Sequence, residues 1–203
     1  MKIALIGATG NVGSKILAEL LGRGHNVTGI VRHPEKLKSH PEVTAKRGDI
    51  TDEVALAQLL SGHDAVISSV RFLSSDPHIF LRAVKKAGVK RILVVGGAGS
   101  LEVAAGVQLV DDPNFPKEYR SEALAGREFL NVLRGEQKLD WTFLSPSALF
   151  VPGQRTGKFR LGTDQLLVDA SGQSKISQED YAIAMVDELE IPRHPRQRFT
   201  VGY

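Results

Sequence analysis

Cysteine is absent from the 203 residues, so no disulfide, thiolate nucleophile, iron–sulfur cluster or zinc ribbon can form. Long apolar runs are missing as well. The first, Ile3 to Ile6, stops at Gly7, and none approaches the roughly 18 residues that span a bilayer. The opening therefore reads as a strand rather than a signal peptide, and a cytoplasmic protein without membrane contact is expected. Charge of one sign is also scarce: 26 basic residues stand against 23 acidic ones, a net of +3. That excess leaves no electrostatic footprint for nucleic acid. Its densest stretch, Arg193-His194-Pro195-Arg196-Gln197-Arg198, lacks interleaved aromatics and reads as a solvated loop. The six histidines, at 25, 33, 40, 63, 78 and 194, form no His-x-His or His-Glu-x-x-His group, so no metal site is expected. No Gly-x-Ser-x-Gly elbow occurs, which removes the commonest hydrolase signature.

What remains is an ordinary globular composition, 42% hydrophobic and 24% charged. A chain of this length buries about 70% of its unfolded surface without staples. Short apolar runs recur at Ile3–Ile6, Val27–Val31, Ala65–Val70, Ile92–Val95 and Trp141–Leu144, with a weaker one at Val43–Ala45. Each is followed by a helical pattern. Continuous apolar runs mean strands buried on both faces, hence a parallel sheet with helices above and below. Val12, Ile16, Leu17, Leu20 and Leu21 share one helical face that Gly22 and Gly24 end. Thr51 or Asp52 opens a second helix. Asp76-Pro77 caps a third that Gly88 stops, and a fourth runs from near Lys117 to Leu133. Beyond Pro146, Gln165–Ala170 reads as a short strand and Ser177–Leu189 as a capped helix. The expected organisation is one α/β domain over residues 1–203. Its core is 1–146, and residues 147–203 form a small C-terminal lobe plus the last strand, roofing the crevice at the strands' carboxyl ends.

Gly7-Ala8-Thr9-Gly10-Asn11-Val12-Gly13 lies between a buried strand and an amphipathic helix. Gly7 permits a tight turn, Gly10 removes the Cβ where a pyrophosphate approaches the backbone, and Gly13 lets the helix close on the strand. The helix start offers unpaired amides and a positive dipole end to phosphates. This is the fingerprint of a Rossmann-type, doubly wound dinucleotide fold. About 20 residues on, an NAD site usually places an acid for the ribose 2′-hydroxyl. Here the strand ends Ile30-Val31-Arg32. Arg32 suits a bidentate contact with a 2′-phosphate, and Lys36 adds a second charge, so NADP is expected over NAD.

These residues, with Gly48-Asp49, Val95-Gly96-Gly97-Ala98-Gly99-Ser100, Leu109-Val110-Asp111 and Leu161-Gly162-Thr163-Asp164-Gln165-Leu166-Leu167, resemble the atypical short-chain dehydrogenase/reductases. Within them the chain is similar to the NADH-flavin reductases, near the flavin/biliverdin reductase and nitrogen-repressor-like branches. The resemblance implies Thr9 to Val12 at the pyrophosphate, Arg32 at the 2′-phosphate and Asp49 near the adenine amine. It further implies Ser68 and Ser69 at the nicotinamide ribose, Gly96 and Gly97 beside the cofactor, and Pro146 by the carboxamide.

The resemblance also has a gap. The standard enzymes pair a tyrosine with a lysine four residues on, which lowers the tyrosine pKa for proton transfer. Here Tyr119 is followed by Ala123 and Tyr181 by Met185, and Tyr203 is terminal. Alcohol–ketone chemistry and sugar-nucleotide epimerisation are thereby disfavoured. Flavin reduction needs mainly positioning, since water supplies the proton. The expected activity is hydride transfer from the nicotinamide to a flavin such as FMN or riboflavin, or to a similar flat acceptor, bound as substrate. Ser100 and Tyr119 are the candidates for orienting it. The alternative is a non-catalytic redox sensor of the repressor-like kind. A monomer or homodimer is expected. Gly153-Gln154-Arg155-Thr156-Gly157-Lys158-Phe159 imitates a phosphate loop, but it has one spacer too few and reads as a turn.

Overall fold

Every apolar run named above becomes a strand of one sheet in the computed structural model, which describes residues 1–203. The strands are β1 (Lys2–Ile6), β2 (Asn26–Val31), β3 (Val43–Arg47), β4 (Ala65–Ser68) and β5 (Arg91–Val95). They are followed by the short β6 (Glu102–Ala104) and β7 (Val107–Gln108), then β8 (Asp140–Pro146), β9 (Leu149–Val151), β10 (Arg160–Gly162), β11 (Lys175–Ser177) and β12 (Gln197–Gly202). Five helices connect them: α1 (Asn11–Gly22), α2 (Glu53–Leu60), α3 (Pro77–Ala87), α4 (Lys117–Arg134) and α5 (Gln178–Glu190).

The main sheet has the order β3-β2-β1-β4-β5-β8-β12-β10. Only β10 runs antiparallel, against β12. The chain moves outward from β1 to β3 and then returns to β4 on β1's other side. That reversal opens a crevice at the carboxyl ends of β1 and β4, where doubly wound sheets bind ligands. Two apolar layers flank the sheet. Phe80, Phe129, Phe143 and Leu60 pack beneath α2, α3 and α4; Ile16, Leu20, Tyr181, Met185 and Phe199 pack beneath α1 and α5. At roughly 25 cal/mol per Å² of apolar surface, each such side chain contributes about 1.5–3 kcal/mol.

Helix ends follow their local chemistry. Asp76 accepts from the amides of His78 at 2.7 Å and Ile79 at 3.3 Å, and Gly88 leaves α3 at φ +76°. Asp52, not Thr51, caps α2, its carboxylate accepting from the Ala55 amide at 3.0 Å.

The C-terminal quarter departs from the expected pattern in two places. Residues 165–170 form no strand: Gln165 makes one isolated bridge to Glu102, and Asp169 folds the segment into a turn by accepting from the Ser171 and Gln173 amides at 2.8 and 2.9 Å. The edge strand is instead Arg160–Gly162, three residues with one apolar side chain. Of residues 147–203, α5 and β12 enter the layers of the main sheet, whereas β9 and β11 form a separate small pair at its carboxyl edge. No helix is long and apolar enough to cross a membrane.

Candidate functional site

The glycine loop owes its shape to close backbone contacts. Gly7 has φ +84°, and a Cβ there would lie 2.4 Å from the Ser69 carbonyl oxygen. A Cβ on Gly13 would lie 2.1 Å from the Gly7 oxygen. Gly10 differs: its nearest obstacle is the Gly7 oxygen at 3.3 Å, and its φ of −72° is open to any residue. The internal demand for glycine is therefore weaker at position 10 than at 7 or 13. Gly10 has no side chain to cap α1, and no acid stands in the first turn. The leading amides of Asn11, Val12 and Gly13 thus lack intrahelical partners, and Thr9, Gly10 and Asn11 are exposed. A diphosphate fits this cradle on geometry and on the sign of the helix dipole.

To one side, β2 and β3 bring Arg32 and Asp49 together. The Gly48 amide donates to the Val31 carbonyl at 3.0 Å, which sets the Gly48-Asp49 turn beside the end of β2. Asp49 accepts from the Thr51 amide and hydroxyl at 3.0 and 2.8 Å. These bonds, with the charge of Arg32, hold its carboxyl below the usual carboxylate range. Arg32 is exposed and joined to no carboxylate by an ion pair. Lys36 ends an exposed single turn, Pro34–Lys36, next to it in the chain.

To the other side, successive strands carry the expected nicotinamide-end residues. The Ser69 amide donates to Ile6 at 2.9 Å, and the Gly96 amide to Leu144 at 2.8 Å. With strands about 4.8 Å apart, three steps from β1 to β8 place Pro146 about 14 Å from the glycine loop. Gly96, Gly97 and Pro146 floor a cleft of about 480 Å³, a volume suited to a small organic ligand. Gly96 has a packing reason too, since its Cβ would meet the Phe143 ring at 2.4 Å. The facing wall is Leu109 to Tyr119, tied down by the Val110 amide on Gly99 at 2.9 Å and the Leu109 amide on Leu101 at 2.8 Å.

The two candidate orienting residues separate here. Tyr119 lines the cleft and is 63% exposed. It is the one tyrosine free to act there. Tyr181 is buried and donates to the Leu144 carbonyl at 2.6 Å, its hydroxyl pushed up in pKa by burial. Tyr203 donates to Asp180 at 2.8 Å. Ser100 is buried and is not among the residues lining the cleft, its hydroxyl accepting from Arg198 at 3.4 Å. Arg198 also pairs with Asp164 and reaches Ser145 at 3.5 Å. The buried guanidinium needs those acceptors.

Among the cleft residues outside the expected set are Phe72, Asp112, Phe115 and Glu122. Glu122 accepts from the Phe72 and Leu73 amides at 2.6 and 3.2 Å, with Arg71 at 3.6 Å, so it braces the loop after β4. Its place three residues after Tyr119 was the available signal. Ala123 stands where the lysine of that pair would be, packed so closely on Gly99 that a Cβ on the glycine would fall 2.7 Å from the alanine methyl.

The phosphate-loop imitation is spent on packing. The Thr156 and Gly157 amides donate to Asp180, both at 2.8 Å, and the Gly153 amide to Glu179 at 2.8 Å.

Comparison with known proteins identifies the family. The profile of the NAD(P)H-binding family matches residues 7–192. The uncharacterized protein YwnB of Bacillus subtilis is 43% identical over 211 aligned positions, spanning 99% of this chain and 98% of its own. A Bacteroides thetaiotaomicron structure proposed to be an epimerase is 47% identical with a TM-score of 0.95, over 100% of this chain and 96% of its own. A Streptococcus pneumoniae structure proposed to be an NADH-flavin reductase is 35% identical with a TM-score of 0.80, over 100% and 99%. The matched segment runs from the first glycine of the loop to just beyond α5, and the chain belongs to the NAD(P)H-binding family.

Proposed function

We propose that this protein is an NADPH-preferring reductase that delivers hydride to a flavin or similar flat electron acceptor. The observation that carries the reading is the continuity of the carboxyl edge: an uncapped helix start, a strand-end arginine and an aromatic-walled cleft share it. The bound nicotinamide supplies the hydride. The chain's own residues supply placement. The Asn11 to Gly13 amides hold the diphosphate, and Arg32, supported by Lys36, takes the 2′-phosphate. Asp49 faces the adenine amine, and Ser68 and Ser69 the ribose. Pro146, Gly96 and Gly97 keep one ring face open to the cleft. Tyr119 orients the acceptor from the opposite wall. No side chain serves as an indispensable acid, since water reaches the cleft mouth.

Epimerisation, suggested by the name of the Bacteroides relative, requires an acid/base pair. Here Ala123 stands where the lysine of that pair would be. The same absence favours a second reading, a sensor that binds dinucleotide without turnover. One assay decides: purified protein with NADPH and riboflavin, FMN or quinones, followed by loss of reduced-nicotinamide absorbance. Turnover supports the reductase. Tight NADPH binding with no turnover on any acceptor refutes it and leaves the sensor.

A further inference from the structure

The charge lining the cleft discriminates among flat acceptors. None of its lining residues is Lys, Arg or His, and two are carboxylates, Asp112 and Glu122. The charge of Glu122 is already met by the Phe72 and Leu73 amides and by Arg71. Asp112 is different. Its carboxylate receives one backbone bond, from Asn114 at 2.7 Å, and no cation pairs with it. The nearest cations in the chain are engaged or turned outward: Arg120 donates to the Val110 carbonyl at 2.9 Å, Arg127 pairs with Asp111 at 3.0 Å, and Lys117 is exposed on α4. The remaining walls are hydrocarbon and aromatic: Phe72, Phe115, Tyr119 and Phe150.

We infer that the cleft selects planar acceptors without a phosphate tail, and that Asp112 is the specificity-determining residue. This rests on the reductase reading. A neutral tricyclic or quinone ring loses nothing by entering between aromatic walls. A phosphomonoester dianion brought beside Asp112 meets a like charge that no cation neutralises, and like-charge juxtaposition opposes binding. The uncapped start of α4 at Pro116 does present amides to the cleft, but Glu118 in that first turn offsets its dipole for an incoming anion.

The test compares kcat/KM for lumiflavin, riboflavin and FMN with NADPH held saturating, in wild-type protein and Asp112→Asn, at low and high salt. At low salt riboflavin and lumiflavin exceed FMN by about tenfold in the wild type, or about 1.4 kcal/mol. Salt narrows the ratio, as expected for a partly exposed charge, and so does Asp112→Asn. Because the readout is a ratio within one protein, partial loss of folding in the variant does not mimic it. Equal or better use of FMN overturns the inference while leaving the reductase reading intact. So does a ratio unmoved by both salt and Asp112→Asn. Absence of turnover with all three acceptors removes the reductase reading, and this inference with it.

Discussion

Gly13→Ala tests the diphosphate cradle most directly. The added Cβ would sit 2.1 Å from the Gly7 oxygen and must retreat by at least 0.9 Å to reach the 3.0 Å limit of real Cβ contacts. Gly7 has little freedom to yield. Its amide donates to Ile30 at 3.0 Å, and its Cα is packed so closely on Ser69 that a Cβ would fall 2.4 Å from that carbonyl oxygen. Helix α1 therefore moves, and its leading amides move with it. Overpacking of this kind costs about 1–3 kcal/mol, of which alanine's higher helix propensity returns up to about 1 kcal/mol. The net cost is at most about 3 kcal/mol, so for a chain of this size the midpoint falls by up to about 12 °C. Two displaced amide-to-phosphate bonds at about 1.5 kcal/mol each weaken NADPH binding by at least about a hundredfold. Gly22→Ala, on the same helix with nothing within 4 Å of its Cβ, is the control: stability rises by up to about 1 kcal/mol and affinity stays constant. Calorimetric titration with NADPH and a thermal melt read both variants. A folded Gly13→Ala protein that binds NADPH like the wild type would refute the cradle.

Three further outcomes are expected. Arg32→Ala weakens NADPH by about 10–100-fold, the worth of a charge-assisted pair, and leaves NADH nearly untouched; equal losses for both coenzymes remove the 2′-phosphate role. Gly99→Ala places a Cβ 2.7 Å from that of Ala123 and lowers the melting temperature by overpacking; an unchanged melt contradicts that geometry. Asp180→Asn probes acid stability. Burial raises the Asp180 carboxyl, but bonds from Thr156, Gly157 and Tyr203 outweigh it and hold the group below its ordinary 3.8. A depressed folded value contributes stability above about pH 4 that is lost as pH falls through it. In urea titrations from pH 3 to 8, the wild-type advantage over Asp180→Asn is flat above pH 5 and shrinks below pH 4; an advantage that grows on acidification is the contrary result.

The central sheet was legible because strands buried on both faces must be continuously apolar. Ile3–Ile6 carries that demand without help from distant residues, whereas in Trp141–Leu144 the buried Thr142 hydroxyl relies on the distant His194 carbonyl. The glycine loop was legible because its constraints are local, Gly7 and Gly13 each meeting atoms only a few residues away or at the next strand end. The edge strand Arg160–Gly162 was not. An edge position with a single apolar side chain carries no pattern, while Leu166-Leu167-Val168 imitates one, its Leu167 packing against Gly162 and Gly202. The engagement of Ser100 was not legible because its partner, Arg198, lies 98 residues away in the chain, and no local signal announces a buried guanidinium. Phe72 and Asp112 joined the cleft through loop paths that spacing does not encode.

Helix α1 leans on α5, and the layer behind it is filled by Tyr181, Met185, Phe199 and Val201. Those residues lie far downstream of the glycine loop in the chain. During synthesis the loop is made first, yet its supporting wall is missing until α5 and β12 have followed it. Nascent chains that stop short of β12 expose the apolar underside of α1 and β1, the kind of surface that draws chaperones. A rigid glycine loop is thus contingent on a strand made long after it.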